Sequence, residues 1–514
     1  MKRQPILFFA FAAIAAALFA GAVALAATGS SNDAAVALND GTMPALSAIA
    51  GQGMMDSHAY EYLEELSDDI GARVTGSPQC NAAIQWGLDK MRAMGLQNVH
   101  AEPWQISRGW TRVSASAAII SPARHPLMVD AMGWVGSTPQ GGVDADLVPV
   151  NVYQLDQELA QNSGNWSGKV LLAVQKGDAP HNGMATFAKF GLFLQKAHDA
   201  GAVAVIGGQA GEKSEGMHLT HTGALGFDVY YDIPVVSISA EDQDLLERFI
   251  ARGKNVRVHI DVQNKVTDGP ANTANVVGDI PGTEHPEQVI VVGGHLDSWD
   301  LSEGSTDDGV GVVTTLGAAE AILRSGFKPR RTIRFVLFTG EEEGLLGSLA
   351  YVKTHKDDMK DHVAAVILDN GQGPVTALNM GGRDDLLAAT YPFVATLNAF
   401  GKIVANDVTE FGTDAGPFIL AGLPGINLDQ DSPAYRYTHH SNVDSFDKVD
   451  EAVLDRDATV QGLVAFWIAD RPERLASPWP PEKSAQMLIE RHDDEFLKLF
   501  NLWPFGNLGE KPQP

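Results

Sequence analysis

The sequence predicts an α/β protein: a mostly parallel mixed sheet flanked by helices, with a second α/β module inserted into it. Two observations carry that reading. From Asn272 onward, continuous runs of Val and Ile alternate with glycine-rich turns and helical stretches. Strands that are apolar on both sides belong to sheets covered by helices on both faces. Between about Ser121 and Asp268 the pattern changes to short β runs separated by Gly-rich turns, with one helical stretch over 184–200.

Each element follows in order. Lys2 and Arg3 precede an uninterrupted apolar run from Ile6 to Ala27, with a small-x-small site at Ala24-Leu25-Ala26. Residues 1–26 therefore read as an export signal, with an uncleaved anchor as the alternative. Either way the body lies outside the cytoplasm, in the periplasm or secreted. Residues 27–46 are small and polar and read as a linker. Helical periodicity runs from Met55 through Tyr62, Leu63 and Leu66, and again over 82–94 through Ile84, Leu88 and Met91. A strand is expected over 98–108. Residues 47–121 form the first part of the main domain and 122–270 the insert, with strands over 169–174, 202–207 and 233–238. Residues 271–475 complete the main domain, with strands over 288–293, 332–338 and 363–368 and helices over 309–323 and 345–353. The tail, 476–514, is rich in Pro and Trp and carries one amphipathic helix over 485–500.

Composition narrows the function. The 514 residues are 45% hydrophobic and 20% charged, which excludes a disordered chain, a collagen and a multi-span membrane protein. Lys and Arg number 37 against 64 Asp and Glu, a net charge of −27; without Lys2 and Arg3 the balance is 35 against 64, or −29. Such a body repels phosphate backbones, so no nucleic-acid partner is expected, nor a stable membrane partner. Cys80 is the one cysteine, so no internal disulfide is possible, and it reads as a packed residue.

Potential metal ligands collect where the predicted strands end. The first ends in His295-Leu-Asp297, and the loop after it reaches Asp307-Asp308-Gly309 at a helix start. The second ends in Glu341-Glu342-Glu343-Gly344, the third in Asp369-Asn370, and His439-His440 follows much later. In such sheets functional groups gather beyond the carboxyl ends of the strands. Imidazoles and carboxylates without thiolate suit zinc or a similar divalent ion. A carboxylate can bridge two such ions, and a further carboxylate that is not a ligand can then move protons.

The runs Val292-Gly-Gly-His-Leu-Asp-Ser-Trp-Asp300, Thr306-Asp-Asp-Gly-Val-Gly311 and Thr339-Gly-Glu-Glu-Glu-Gly-Leu-Leu-Gly-Ser348 resemble the dizinc exopeptidases that include bacterial leucyl aminopeptidase and glutamate carboxypeptidase II. Gly76-Ser-Pro78, Ala83-Ile-Gln-Trp86, Gly412-Thr-Asp414, Ala421-Gly-Leu-Pro-Gly425 and His439-His-Ser441 resemble the plasma glutamate carboxypeptidase, or carboxypeptidase Q, branch. The resemblance covers about 55–469. It implies two zinc ions per chain. His295 and Asp369 would hold one, Glu342 and His440 the other, and Asp307 would bridge them. Glu341 would be general base and acid for a bridging hydroxide that attacks a peptide carbonyl. Asp297 would orient His295, and Asp444 would support the His440 end. The insert resembles a protease-associated domain, and its His181, His218 and His221 read as surface or packing residues.

Three registers stay open: Glu342 as base with Glu343 as ligand, Asp308 as the bridge, and His439 in place of His440. The implied reaction is hydrolysis of terminal bonds in short peptides, as a carboxypeptidase or dipeptidase. An aminopeptidase is the alternative; a receptor-like or single-zinc cyclase member is more remote. An aminopeptidase needs a carboxylate for the substrate's free amine. A carboxypeptidase needs a cation or donors for the free carboxylate, for which Arg383, Arg436, Tyr435 and Tyr437 are candidates. Homodimerisation is expected from the resemblance alone.

Overall fold

A computed structural model describes residues 41–177, 183–207, 218–506 and 508. The expected export signal, most of the linker and His181 lie outside them. Among the described residues no helix is long and apolar enough to cross a membrane. The chain forms two compact units, one of Trp110–Asp268 with His439–Val443, the other of the remaining described residues.

The larger unit is built on an eight-stranded mixed sheet. Its strands in chain order are β1 (Gln97–Ile106), β2 (Ala271–Ile280), β3 (His285–His295), β4 (Arg331–Phe338), β5 (His362–Ile367), β6 (Val375–Asn379), β7 (Val404–Asn406) and β8 (Gly425–Gln430). They lie in the order β1-β2-β4-β3-β5-β8-β6-β7, and the central four, β4, β3, β5 and β8, run parallel. The Val and Ile runs are buried on both faces by alternation. Ile290 and Val292 pack into one core, while Val289 and Val291 pack into the other with Tyr351 and Phe418. Each fully buried aliphatic side chain contributes roughly 1.5–3 kcal/mol.

Helices α1 (Met43–Met55), α2 (Pro78–Met94), α3 (Val310–Ser325), α4 (Leu346–Thr354) and α5 (Glu451–Asp470) cover the sheet. In α2, Ser77 Oγ caps the Cys80 N–H at 3.0 Å, Pro78 opens the first turn, and Gly95 closes it in the left-handed region. Cys80 is fully buried, and burial, then the Asp297 charge, pushes its thiol up to about 12. It is a packed residue rather than a nucleophile. Helices α3 and α5 approach closely because Gly317 faces Ala458 and Gly462 faces Ala318.

Three expected boundaries in the larger unit move. The linker ends earlier, because Ala45, Leu46 and Ile49 bury an apolar face and α1 starts at Met43. The helix expected from Met55 is two pieces, Ala59–Glu64 running into a π-helical turn at Glu65–Ile70. The tail carries two helices, Pro481–Glu490 and Asp493–Leu499, because His492 breaks the chain at φ 65°.

The smaller unit has its own eight-stranded sheet and its own core, with Leu171, Val205, Val235 and Phe193 fully buried. It starts at Trp110 rather than at 122, since the strand Trp110–Ser121 pairs antiparallel with Arg257–Val266. Within it the Thr222 N–H donates to the His440 carbonyl at 2.8 Å, and His221 Nδ1 lies 2.9 Å from the His439 carbonyl. Burial holds the His221 imidazole down at about 4, so it packs as a neutral ring.

Candidate metal centre

Strand register sets the centre. His295 closes β3 opposite Phe338 of β4, and Asp369 lies two residues beyond Ile367, which pairs with Gly293. Three neighbouring parallel strands thus deliver His295, Glu341-Glu342 and Asp369 to one sheet edge. His295 Nε2 lies 3.4 Å from Asp307 Oδ1, 3.6 Å from Asp369 Oδ1 and 3.9 Å from Glu341 Oε2. Ligand atoms of His295, Asp307 and Glu342 fall within 4.8 Å of one another, as do those of His295, Asp308 and Asp369.

Asp307 and Asp308 differ in what they hold. Asp308 Oδ2 accepts the His295 N–H at 3.0 Å and Oδ1 accepts the Gly311 N–H at 2.8 Å. Both of its oxygens are tied to backbone, fastening the end of β3 to the start of α3. Asp307 Oδ1 instead faces the His295 ring. The glycines around them leave room for this. A Cβ on Gly311 would stand 2.1 Å from Asp308 Oδ2, and one on Gly294 2.7 Å from it.

Backbone clamps hold the remaining groups. Asp297 takes the Thr75 hydroxyl on Oδ2 at 2.9 Å and meets the Glu341 and Glu342 N–H groups at 3.4 Å each. His295 Nδ1 lies 3.0 Å from the Asp297 carbonyl and 3.7 Å from its carboxylate. Asp297 therefore steadies both the imidazole and the turn that carries the glutamates. Asp444 accepts the Thr306 N–H at 2.7 Å and the Asp307 N–H at 3.1 Å. The loop bearing His439 and His440 leaves this unit at Thr438, which bonds Thr306 at 2.8 Å, and returns at Asp444. Trp299 Nε1 donates to Glu342 Oε2 at 2.6 Å.

The electrostatics are those of crowded buried acids. Burial, then neighbouring carboxylates, raises Asp308, Glu341, Glu342 and Glu343 well above the ordinary range. Burial alone would lower His295, but Asp369, Asp297 and Asp307 hold it well above its usual value. Imidazole nitrogen with clustered carboxylate oxygens, and no thiolate, is the donor set of a divalent ion such as zinc, and the residues present fit one.

Other sequence candidates are already engaged. Arg383 is buried, paired with both Asp385 oxygens at 2.9 and 3.1 Å, and stacked on Trp479 at 4.4 Å. Arg436 donates to the Tyr437 hydroxyl at 2.8 Å. Tyr435 packs on Gly371, and burial, then the Asp307 and Asp369 charges, raises its phenol well above 10. Sequence reasoning missed Arg73, Thr75 and Glu410. The Glu410 carboxylate accepts Asn427 Nδ2 at 2.7 Å and Asn379 Nδ2 at 3.4 Å, and those two asparagines sit opposite each other on β8 and β6. Burial, then Asp429, raises it to about 7. Only strand pairing reveals that set, because its three members lie far apart in sequence.

Known proteins share this architecture. The family model of peptidase family M28 matches residues 275–464. Carboxypeptidase Q of Mus musculus is 30% identical over 431 residues, covering 83% of this chain and 89% of its own. The human carboxypeptidase Q is 29% identical over 429 residues, 83% of this chain and 88% of its own. A peptidase M28 precursor from Shewanella amazonensis superposes with a TM-score of 0.74 at 28% identity, over 85% of this chain and 99% of that one. A zinc aminopeptidase from Bacillus subtilis shares the fold, with a TM-score of 0.61 at 21% identity over 82% of this chain and 97% of that one. Similarity over 83% of the chain and a histidine–carboxylate centre within the matched range lead to one conclusion: the chain belongs to peptidase family M28.

Proposed function

We propose that the chain is an exported exopeptidase that uses two zinc ions to hydrolyse terminal bonds of short peptides. The observation that carries this is the His295 ring facing Asp307, Asp369 and Glu341 within 3.4–3.9 Å at one sheet edge. On the family pattern, His295 and Asp369 would hold one ion, Glu342 and His440 the other, and Asp307 both. Bound zinc supplies Lewis-acid activation of water and of the scissile carbonyl.

Glu341 does the proton work. Its side chain is only 12% exposed and lies 3.9 Å from His295 Nε2, and burial raises its carboxyl above the ordinary carboxylate range. It takes a proton from the attacking water and delivers it to the leaving amine. Trp299 and Asp297 fix the neighbouring Glu342 so that Glu341 keeps its aim. The Glu341→Ala variant should keep its zinc and lose about 10²–10⁴-fold in kcat. Retained turnover would overturn the base assignment, and lost zinc would make Glu341 a ligand.

The relatives named carboxypeptidase Q favour C-terminal trimming. A second reading, N-terminal trimming, is favoured by Glu410, a carboxylate held by neutral amides that would suit a substrate ammonium. Mass spectrometry of products from acetylated and amidated peptides decides between them. Export, a protease-associated role for the smaller unit and homodimerisation complete the proposal; N-terminal sequencing and light scattering test the first and last.

A further inference from the structure

Arg73 is fully buried, yet among the described residues its guanidinium donates to backbone carbonyls alone. Nε reaches the Leu296 carbonyl at 2.8 Å, one amino group reaches Gly71 at 3.0 Å and Glu303 at 2.6 Å, and the other reaches Gly304 at 2.9 Å. Leu296 adjoins His295. Gly304 opens the turn Ser305–Gly309 that carries Asp307, and accepts the Gly309 N–H at 3.1 Å. One rigid planar group therefore fixes both ends of the loop 296–304, whose two exits bear the facing His295 and Asp307. The loop is tight: a Cβ on Gly304 would stand 2.3 Å from Ser298 Cβ, and Ser298 Oγ accepts the Arg73 N–H at 3.1 Å.

The charges repeat the pattern. Burial lowers the Arg73 guanidinium, and the Asp444, Asp297 and Asp308 carboxylates oppose that. Each holds the backbone of a ligand-bearing segment: Asp444 that of Asp307, Asp308 that of His295, and Asp297 that of Glu341 and Glu342. Thr75, two residues on and also fully buried, donates to Asp297. Thus two side chains of the stretch 71–77 reach all three segments.

We propose that Arg73 and Thr75 are positioning residues of the metal centre, so that a stretch well ahead of the family-matched range 275–464 sets the geometry of its ligands. The proposal rests on His295, Asp307 and Glu342 being ligands. Lysine cannot replace Arg73, because one ammonium cannot span carbonyls that a planar fork reaches together.

The test measures zinc affinity at 25 °C by chelator competition, alongside Tm of the metal-free protein, on the full chain. Arg73→Lys and Thr75→Val should each weaken zinc by about 10–100-fold, the usual effect of removing an outer-shell partner. Thr75→Ser, which keeps the hydroxyl, should restore affinity to within about threefold of wild type. Arg331→Lys is the control: Arg331 is buried and bonds Gln288 and the Arg471 carbonyl, so it should lose Tm and keep zinc affinity. Unchanged zinc affinity in folded Thr75→Val, or no rescue by serine, overturns the proposal even if Arg73→Lys fails to fold. Wild-type protein that binds no zinc overturns the metal reading itself, a separate failure visible before any variant is made.

Discussion

Gly311→Ala tests how tightly the centre is built. A Cβ there would lie 2.1 Å from Asp308 Oδ2, 2.4 Å from Asp308 Oδ1 and 2.3 Å from the Leu368 carbonyl. Carbon and oxygen in contact need about 3.3 Å or more, so those atoms must retreat by roughly 1 Å. Asp308 cannot retreat and keep its bonds to the His295 and Gly311 N–H groups. Two charge-assisted bonds at about 1.5–3 kcal/mol each, plus about 1–3 kcal/mol of overpacking, predict a loss of about 4–9 kcal/mol. The Leu368 carbonyl precedes Asp369, so the same methyl pushes on a second proposed ligand. Urea unfolding of the metal-free protein reads the stability, and a zinc titration reads the site. A variant within about 0.5 kcal/mol of wild type, with wild-type zinc affinity, would refute the packing argument.

Three further predictions address separate layers. Gly51 is an exposed interior residue of α1 with nothing within 4 Å of its added Cβ, so Gly51→Ala should stabilise by about 1 kcal/mol in thermal unfolding. Trp467 stacks on Phe393 at 4.3 Å and 4°, fully buried, so Trp467→Ala should cost about 3–5 kcal/mol by urea denaturation. Asp457 accepts the Val375 N–H at 3.0 Å and Gln430 Nε2 at 3.1 Å, and burial raises it to about 7. A raised carboxyl binds its proton more tightly when folded, so its stabilisation is full below about pH 4 and fades as pH rises toward 7. Relative to Asp457→Asn, wild type should lose up to about 1.4 kcal/mol per pH unit across that window. A flat difference between pH 4 and 7 would remove Asp457 from the account.

The strand–turn–helix alternation after Asn272 was legible because both sheet faces are covered, which makes Val and Ile continuous in β3, β4 and β5. His295, Glu341-Glu342 and Asp369 stood out because each lies at or just beyond the carboxyl end of a strand, whereas Asp307 lies in the turn Ser305–Gly309 and His439-His440 in a later loop. What the sequence concealed is non-local. That Asp308 is spent on two N–H groups depends on the fold of the 296–309 loop, and Arg73 bonds carbonyls more than 220 residues away. Backbone acceptors leave no residue-type signature. Glu410, Asn379 and Asn427 likewise meet only once β6 and β8 pair. The tail misread has a local cause: the apolar period runs through His492, but the backbone there turns left-handed.

The pairing of Ile106 with Ala271 means that the chain leaves the large sheet and re-enters it at one point. To that sheet the intervening stretch is a hairpin loop of unusual length, and the entropy of closing a loop grows only as the logarithm of its length. An insertion at such a point leaves every strand register untouched, whatever it encodes. A short turn joining β1 to β2 would close the same ladder, so the sheet that carries the centre could exchange its long connection for another without rebuilding its core.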